Sequence, residues 1–453
     1  MLRVRINRPG PVRQKAELVL GLLADAIGIR LSVVAADAAN EDDADLCYSA
    51  VRPKSSKQLW LPAVDFDWSV VSTDVQEINR VPFIGGILSK EGDAVIRGDI
   101  LYGTWLMVTG AFESGQDRNR FGVPLARGSF AYENGLVAQP VVNRYASILS
   151  TLIVERLGSR YSPVDRWPNG ARGAIVLSHD VDRPFSRPTA EHYHQRVSRD
   201  IRNLRVRATL RGLGGYVKNV LAQGDSGAQT HRDPNFGFDG WREFENGIGS
   251  KSAFYVAVRH AAEDGALWEE VNYNFRHPKL LGQLRHLAED GWEIGLHASI
   301  ACRSEPGRFE LERRILAEAV GSPVRGLRHH YWALDSTRPE ATLRAHAEAG
   351  FEYDSSLGFN DAPAFRRGVA FPFNPIDPHR MEALPILQIP PTVMDGGIFF
   401  NVSNQAEGEF ELRRHIDQVI AVGGAVVFNW HLEQQNPGRL MGAGQALMNV
   451  LRD

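Results

Sequence analysis

Sulfur and membrane-spanning character are what this 453-residue chain has least of. Its only cysteines, Cys47 and Cys302, lie far apart without Cys-x-x-Cys spacing, which excludes a disulfide framework and a structural zinc ribbon. No stretch reaches the ~20 uninterrupted apolar residues of a spanning helix. Arginines stand at positions 3, 5 and 8, but the apolar stretch 18–29 is broken by Asp25 and lacks a small-residue cleavage pattern, so no signal peptide is expected and the default location is the cytoplasm. Charge of one sign is also missing: a net charge of −3 gives no global reason to expect nucleic acid or an anionic membrane as partner, so any basic surface must be local.

What is present describes an ordinary globular protein, 43% hydrophobic and 23% charged, with a length that suggests two or three domains. Residues 1–165 read as a mixed α/β domain: a helix over 14–27, a strand over 31–35, a helical stretch over 145–157, and turn-rich chain between them. The segment 159–172 holds Pro163, Pro168 and Gly170 without periodicity, as a linker does. A second domain, 171–453, then alternates short apolar runs (174–178, 253–258, 292–296, 324–328, 351–354, 384–389 and 425–430) with helical patterns. The clearest helix covers 278–290, with Pro278 near its start, Leu280, Leu281, Leu284, Leu287 and Ala288 on one face, and Gly291 just beyond its end. Such β-α order implies a parallel α/β sheet, and seven strands favour a barrel over an open sheet.

Polar residues follow these strands in series. Ser178-His179-Asp180-Val181-Asp182 sets two carboxylates on one side of a strand, one pleat apart. Taken alone, the pair reads as a turn or helix cap. Yet His297, Arg328 to Tyr331, Asp354 and His431 follow later strands, and the carboxyl ends of parallel strands converge on one site.

From 171 to 437 the chain resembles the NodB-type polysaccharide deacetylases, carbohydrate esterase family four. SHDVD matches the family's first motif, in a form with one residue between the aspartates. WEIGLHAS matches the second as far as His297, but Ala301 stands where that motif has a second metal-binding histidine. Arg328-His329-His330-Tyr331 corresponds to Arg-x-Pro-aromatic with His330 replacing proline, as in a divergent branch of the family. The strand ending in His431 matches the fifth motif. The resemblance implies a distorted (β/α) barrel of about seven strands and a metal-dependent hydrolase that deacetylates an N-acetylated sugar. It implies Asp180 as general base, His431 as general acid, Arg328 as the group that keeps Asp180 ionised, and one divalent ion, zinc before cobalt or iron, on Asp182 and His297. His330 is the expected third ligand, ahead of His329 and Cys302. The backbone N–H near Tyr331 would serve an oxyanion.

Several residues stay open between roles. Asp354 either orients Arg328 or makes a turn, Glu293 makes a structural ion pair or takes part in catalysis, and His179 lies behind the site. His192 and His194 read as solvent-facing, and Gly212 to Gly215 lacks phosphate-loop spacing. The long connection 183–250 carries Arg196, Arg199, Arg202, Arg205, Arg207 and Arg211 on a helical stretch: a solvated face, a cationic lid over a phosphate-bearing substrate, or a membrane-surface contact. The expected partner is a carbohydrate, a polysaccharide or a nucleotide- or lipid-linked precursor, with no nucleic acid. Competing functions are hydrolysis of a cyclic imide or ureide, and glycan binding on a degenerate barrel.

Overall fold

The computed structural model describes residues 1–34, 44–54, 58–86, 98–158, 161, 164–186, 197–198, 200–201, 206–222, 233–259 and 270–453. His192, His194, Arg196, Arg199, Arg202 and Arg205 lie outside them. The chain forms two compact units, one of Met1–Ile175, Leu357–Thr392 and His415–Val426, the other of Val176–Ser356, Val393–Arg414 and Val427–Asp453.

In the first unit four parallel strands run in the order Leu31–Val33, Leu2–Ile6, Leu46–Ser49, Leu59–Pro62. Leu2, Val4 and Ile6 are buried while Arg3 is exposed, the period-2 alternation of a half-buried strand. The helices Gly10–Ala26 and Val141–Leu157 and the strand Leu31–Val33 match the sequence pattern closely. The chain between them, turn-rich by its sequence, instead contains four strands among the described residues, Leu46–Ser49, Leu59–Pro62, Val75–Ile78 and Val81–Ile84, and the helix Ile100–Val108. That helix is buried on every side, so no amphipathic period marks it. Asp99 caps it, accepting from the Leu101 and Tyr102 N–H groups at 3.0 and 2.9 Å and from the Tyr48 hydroxyl at 2.6 Å. Residues 357–392 belong here through polar contacts as well. Asp361 accepts from the Ala126 and Arg127 N–H groups, and Arg366 and Arg367 enclose Glu113.

The second unit is built on parallel strands in the order Ser178–Val181, Ala253–Val256, Glu293–Ala298, Gly326–His329, Tyr353–Asp354. Helices Pro278–Glu289, Gly307–Val320 and Pro339–Glu348 occupy the intervals between consecutive strands. Two of them start on proline, where the missing N–H is harmless. On the far side of Ser178, the Trp430 N–H donates to the Ser178 carbonyl at 3.0 Å and the Ser178 hydroxyl donates to Phe428, whose strand pairs in parallel with Val393–Met394. The α/β architecture with parallel sheets is therefore present as the alternation implies. The run 384–389 differs: only Leu387–Gln388 is strand, and it groups with the first unit.

Candidate metal and acid–base site

Because all the strands of the second unit's sheet point the same way, their carboxyl ends form one rim, and the residues singled out in sequence meet there. Register fixes the pairs: His297 stands beside Arg328, and Asp180 beside Tyr255. Alternation sends Ser178 and Asp180 to the same face, where both bond Arg328.

Asp182, just past its strand, is the hub. Its carboxylate lies 3.3 Å from His297 Nε2, 3.6 Å from His330 Nε2 and 3.6 Å from His431 Nε2. Among the described residues, Asp182, His297 and His330 form the group of side chains whose donor atoms are close enough to share a metal ion, all within 4.8 Å of one another. Each imidazole is oriented from behind. His297 Nδ1 donates to the Arg328 carbonyl at 3.0 Å, and His330 Nδ1 to Glu270 at 3.2 Å, so both Nε2 atoms face Asp182. Immediately after His330 the backbone turns through two left-handed residues, Tyr331 and Trp332 with φ of 56° and 55°, and the Tyr331 ring stacks on His330 at 4.2 Å. Two non-glycine residues in that region cost about 1–3 kcal/mol each, a strain concentrated at the site.

These residues fit a divalent cation. His297 Nε2 and Asp182 Oδ1 are buried and face each other at 3.3 Å; with Nδ1 donating to Arg328, a neutral imidazole turns a lone pair to the carboxylate there, a costly arrangement that an ion would relieve. One carboxylate and two imidazoles form the nitrogen–oxygen set that suits zinc and its neighbours and leaves positions open. Burial opposes protonation of His330, but Asp182 and Glu270 outweigh it and raise the group to about 9. An ion must displace that proton.

Asp180 stands apart from this cluster, one oxygen on the Arg328 guanidinium at 2.9 Å and the other on the Asn429 amide at 2.8 Å. Burial pulls its carboxyl upward, yet Arg328, His297 and His431 hold it below the usual range, so it is ionised. Arg328 is fully buried; it also donates to the Ser178 hydroxyl and to the Ser355 carbonyl and hydroxyl, and lies over the Tyr255 ring at 4.4 Å. His431 is gripped by Asp395, which accepts from both its Nδ1 and its backbone N–H at 2.9 and 2.8 Å. Burial lowers this imidazole, but Asp395 and Asp182 overcome that and raise it well above its ordinary value. Asp182 and His431 have side chains 21% exposed, against 4% or less for Asp180, His297 and His330, so solvent reaches the site from the His431 side.

The remaining sequence candidates lie elsewhere. His329 packs on Phe309 and His346, and Cys302 is buried against Ser299, so neither joins the cluster. Asp354 accepts from the N–H and hydroxyl of Ser356 and faces His346 at 3.2 Å, which makes it a turn residue; Ser355, held in that turn, is what bonds Arg328. Glu293 begins its strand, four residues before His297 and about 13 Å along it. It accepts from the Tyr353 hydroxyl at 2.8 Å. His179 points to the other face, with ring nitrogens 2.9 Å from the Trp430 carbonyl and 2.8 Å from Glu245. It ties the first strand to the chain entering His431 from behind.

Glu270, Asp395 and Asn429 complete the site and escaped the sequence reading. Asn429 had a signal, since it ends the strand that leads to His431, two residues before it. Glu270 and Asp395 had none: neither lies in a strand, and each meets its histidine across 60 and 36 residues of chain.

No family model matches the chain, and no curated protein does. Among solved structures it is similar to a "putative polysaccharide deacetylase" from Mycobacterium smegmatis, at 17% identity over 63% of this chain and 86% of that one, with a TM-score of 0.40. It is also similar to the polysaccharide deacetylase Bc1974 from Bacillus cereus, at 11% identity over 48% and 81%, with a TM-score of 0.29.

Proposed function

We propose that this protein is a metal-dependent hydrolase that removes the acetyl group from an N-acetylated sugar, with its sheet forming part of a distorted (β/α) barrel. The observation that carries the reading is the convergence of three groups. A three-donor cluster, a separately held ionised carboxylate and a carboxylate-bound imidazole share one rim.

Asp182, His297 and His330 would hold the ion, zinc before cobalt or iron. Bound there, it would polarise an amide carbonyl and acidify water. Asp180 takes the proton of the attacking water; Arg328 and Asn429 fix its two oxygens and leave further lone pairs free. His431 delivers a proton to the departing nitrogen, since an amine anion is not a viable leaving group near neutral pH. Asp395 keeps its Nδ1 protonated and Nε2 aimed at the site. The proposed substrate is a polysaccharide unit or its cytoplasmic nucleotide- or lipid-linked precursor.

The test is acetate release from a panel of N-acetylated sugars, with metal content measured on the same preparations. Asp182→Ala should lose both the ion and activity. Asp395→Asn should keep the ion and lose about 10²–10⁴ in kcat, as general acid catalysis requires. A wild type that binds no divalent ion, or an Asp395→Asn enzyme with unchanged kcat, would overturn the assignment.

A further inference from the structure

Helix Val206–Ala222, in the long connection after the first strand of the second unit, is inside out. Val206, Leu210, Leu213 and Val217 recur at intervals of four, three and four, which places them on one stripe. In a surface helix that stripe faces the core. Here the four are 68%, 64%, 43% and 51% exposed, while Gly212, more than 90° around the helix, is buried so close to Val197 that a Cβ would come within 2.9 Å of its methyl.

The charges are arranged as consistently as the apolar residues. Arg207 and Arg211 are exposed, and with a 100° step per residue they fall on one flank of the stripe. From Ile201 to Ala222 the sequence has five cations (Arg202, Arg205, Arg207, Arg211 and Lys218) and no aspartate or glutamate, in a protein whose net charge is −3. An exposed apolar stripe with a cationic flank matches the interface of an anionic bilayer, where acyl chains take the apolar residues and headgroups the cations. At 17 residues the helix is about 25 Å long, and no helix among the described residues is long and apolar enough to cross a membrane, so it would lie in the plane. A second copy is a poorer occupant, because a two-fold contact would bring the same arginines face to face.

We propose that this helix docks the protein on an anionic lipid bilayer surface. The inference stands whatever reaction the rim of the sheet carries out.

The test is co-sedimentation of the full chain with phosphatidylcholine vesicles, with and without roughly a third of phosphatidylglycerol. Partitioning into anionic vesicles should exceed that into neutral ones by about tenfold or more, and should fall as salt rises from about 0.1 to 0.5 M. Leu210→Glu/Leu213→Glu and Arg207→Glu/Arg211→Glu should each reduce it about tenfold while leaving the thermal midpoint unchanged, since these side chains are exposed. Absence of vesicle binding, or binding equal in wild type and both variants, would overturn the proposal. So would a wild-type dimer, seen by light scattering, that the leucine variant abolishes without any lipid binding.

Discussion

Replacing Arg328 by methionine removes a buried positive charge while keeping most of the side-chain volume. The guanidinium is fully buried and donates to four acceptors: Asp180 Oδ1, the Ser178 hydroxyl, and the Ser355 carbonyl and hydroxyl. Asp180, 3% exposed, would keep only the Asn429 amide as a hydrogen-bond partner for its carboxylate. Breaking a buried pair from one side costs about 3–5 kcal/mol, mostly because the remaining charge stays desolvated. Asp180→Asn alone should cost less, because it removes the charge that needs the partner. The double variant should therefore lie well short of additive, with a coupling of about 1–3 kcal/mol between the two sites. Denaturant unfolding of the four proteins at neutral pH gives the cycle. The sign of the pH dependence is also fixed. Asp180 is held below its ordinary pKa in the folded state, so the pair stabilises the protein above about pH 4, and this contribution is lost as pH falls through the folded pKa. The gap between wild type and Arg328→Met should narrow on acidification. Additive losses in the cycle, or a gap constant from pH 7 to pH 3, would show that Arg328 acts by packing on Tyr255 and not by holding a carboxylate.

Two other residues give independent tests. Glu270→Gln retains a hydrogen-bond partner for His330 but loses the charge behind it, and should weaken divalent-ion affinity about 10–100-fold, read by competition with a chelating dye; unchanged affinity would remove Glu270 from the site. In the first unit, burial raises Glu113, but Arg366, Arg367 and Arg118 pull it down to about 2. A displacement from 4.5 to about 2, at ~1.4 kcal/mol per pH unit, makes its charge worth about 3 kcal/mol, present above pH 4.5 and lost as pH falls toward 2. Unfolding of Glu113→Gln should match that destabilisation at pH 7 and converge with wild type in acid.

The legible part of the site had a common cause. Asp180, Asp182, His297, Arg328, His330 and His431 all sit at or just beyond the ends of strands that begin as apolar runs. In a parallel α/β array, period-2 alternation and shared strand direction bring such positions to one rim, so reading the strands was enough to gather the side chains. The same logic failed for the helix Ile100–Val108, which is buried all round and so shows no period, and for 384–389, whose apolar run gives only two residues of strand.

Sequence alone therefore determined which side chains could meet, His330 among them. Tertiary structure decided what holds each of them. Glu270 behind His330 and Ser355 behind Arg328 come from irregular chain, and Asp395 behind His431 opens the five-residue helix Asp395–Phe399, too short for a repeat to mark an inward-facing residue. It also decided which face of Val206–Ala222 is turned to solvent. The spacing of apolar residues defines a stripe but not its direction, because that depends on what the rest of the fold leaves for the stripe to cover.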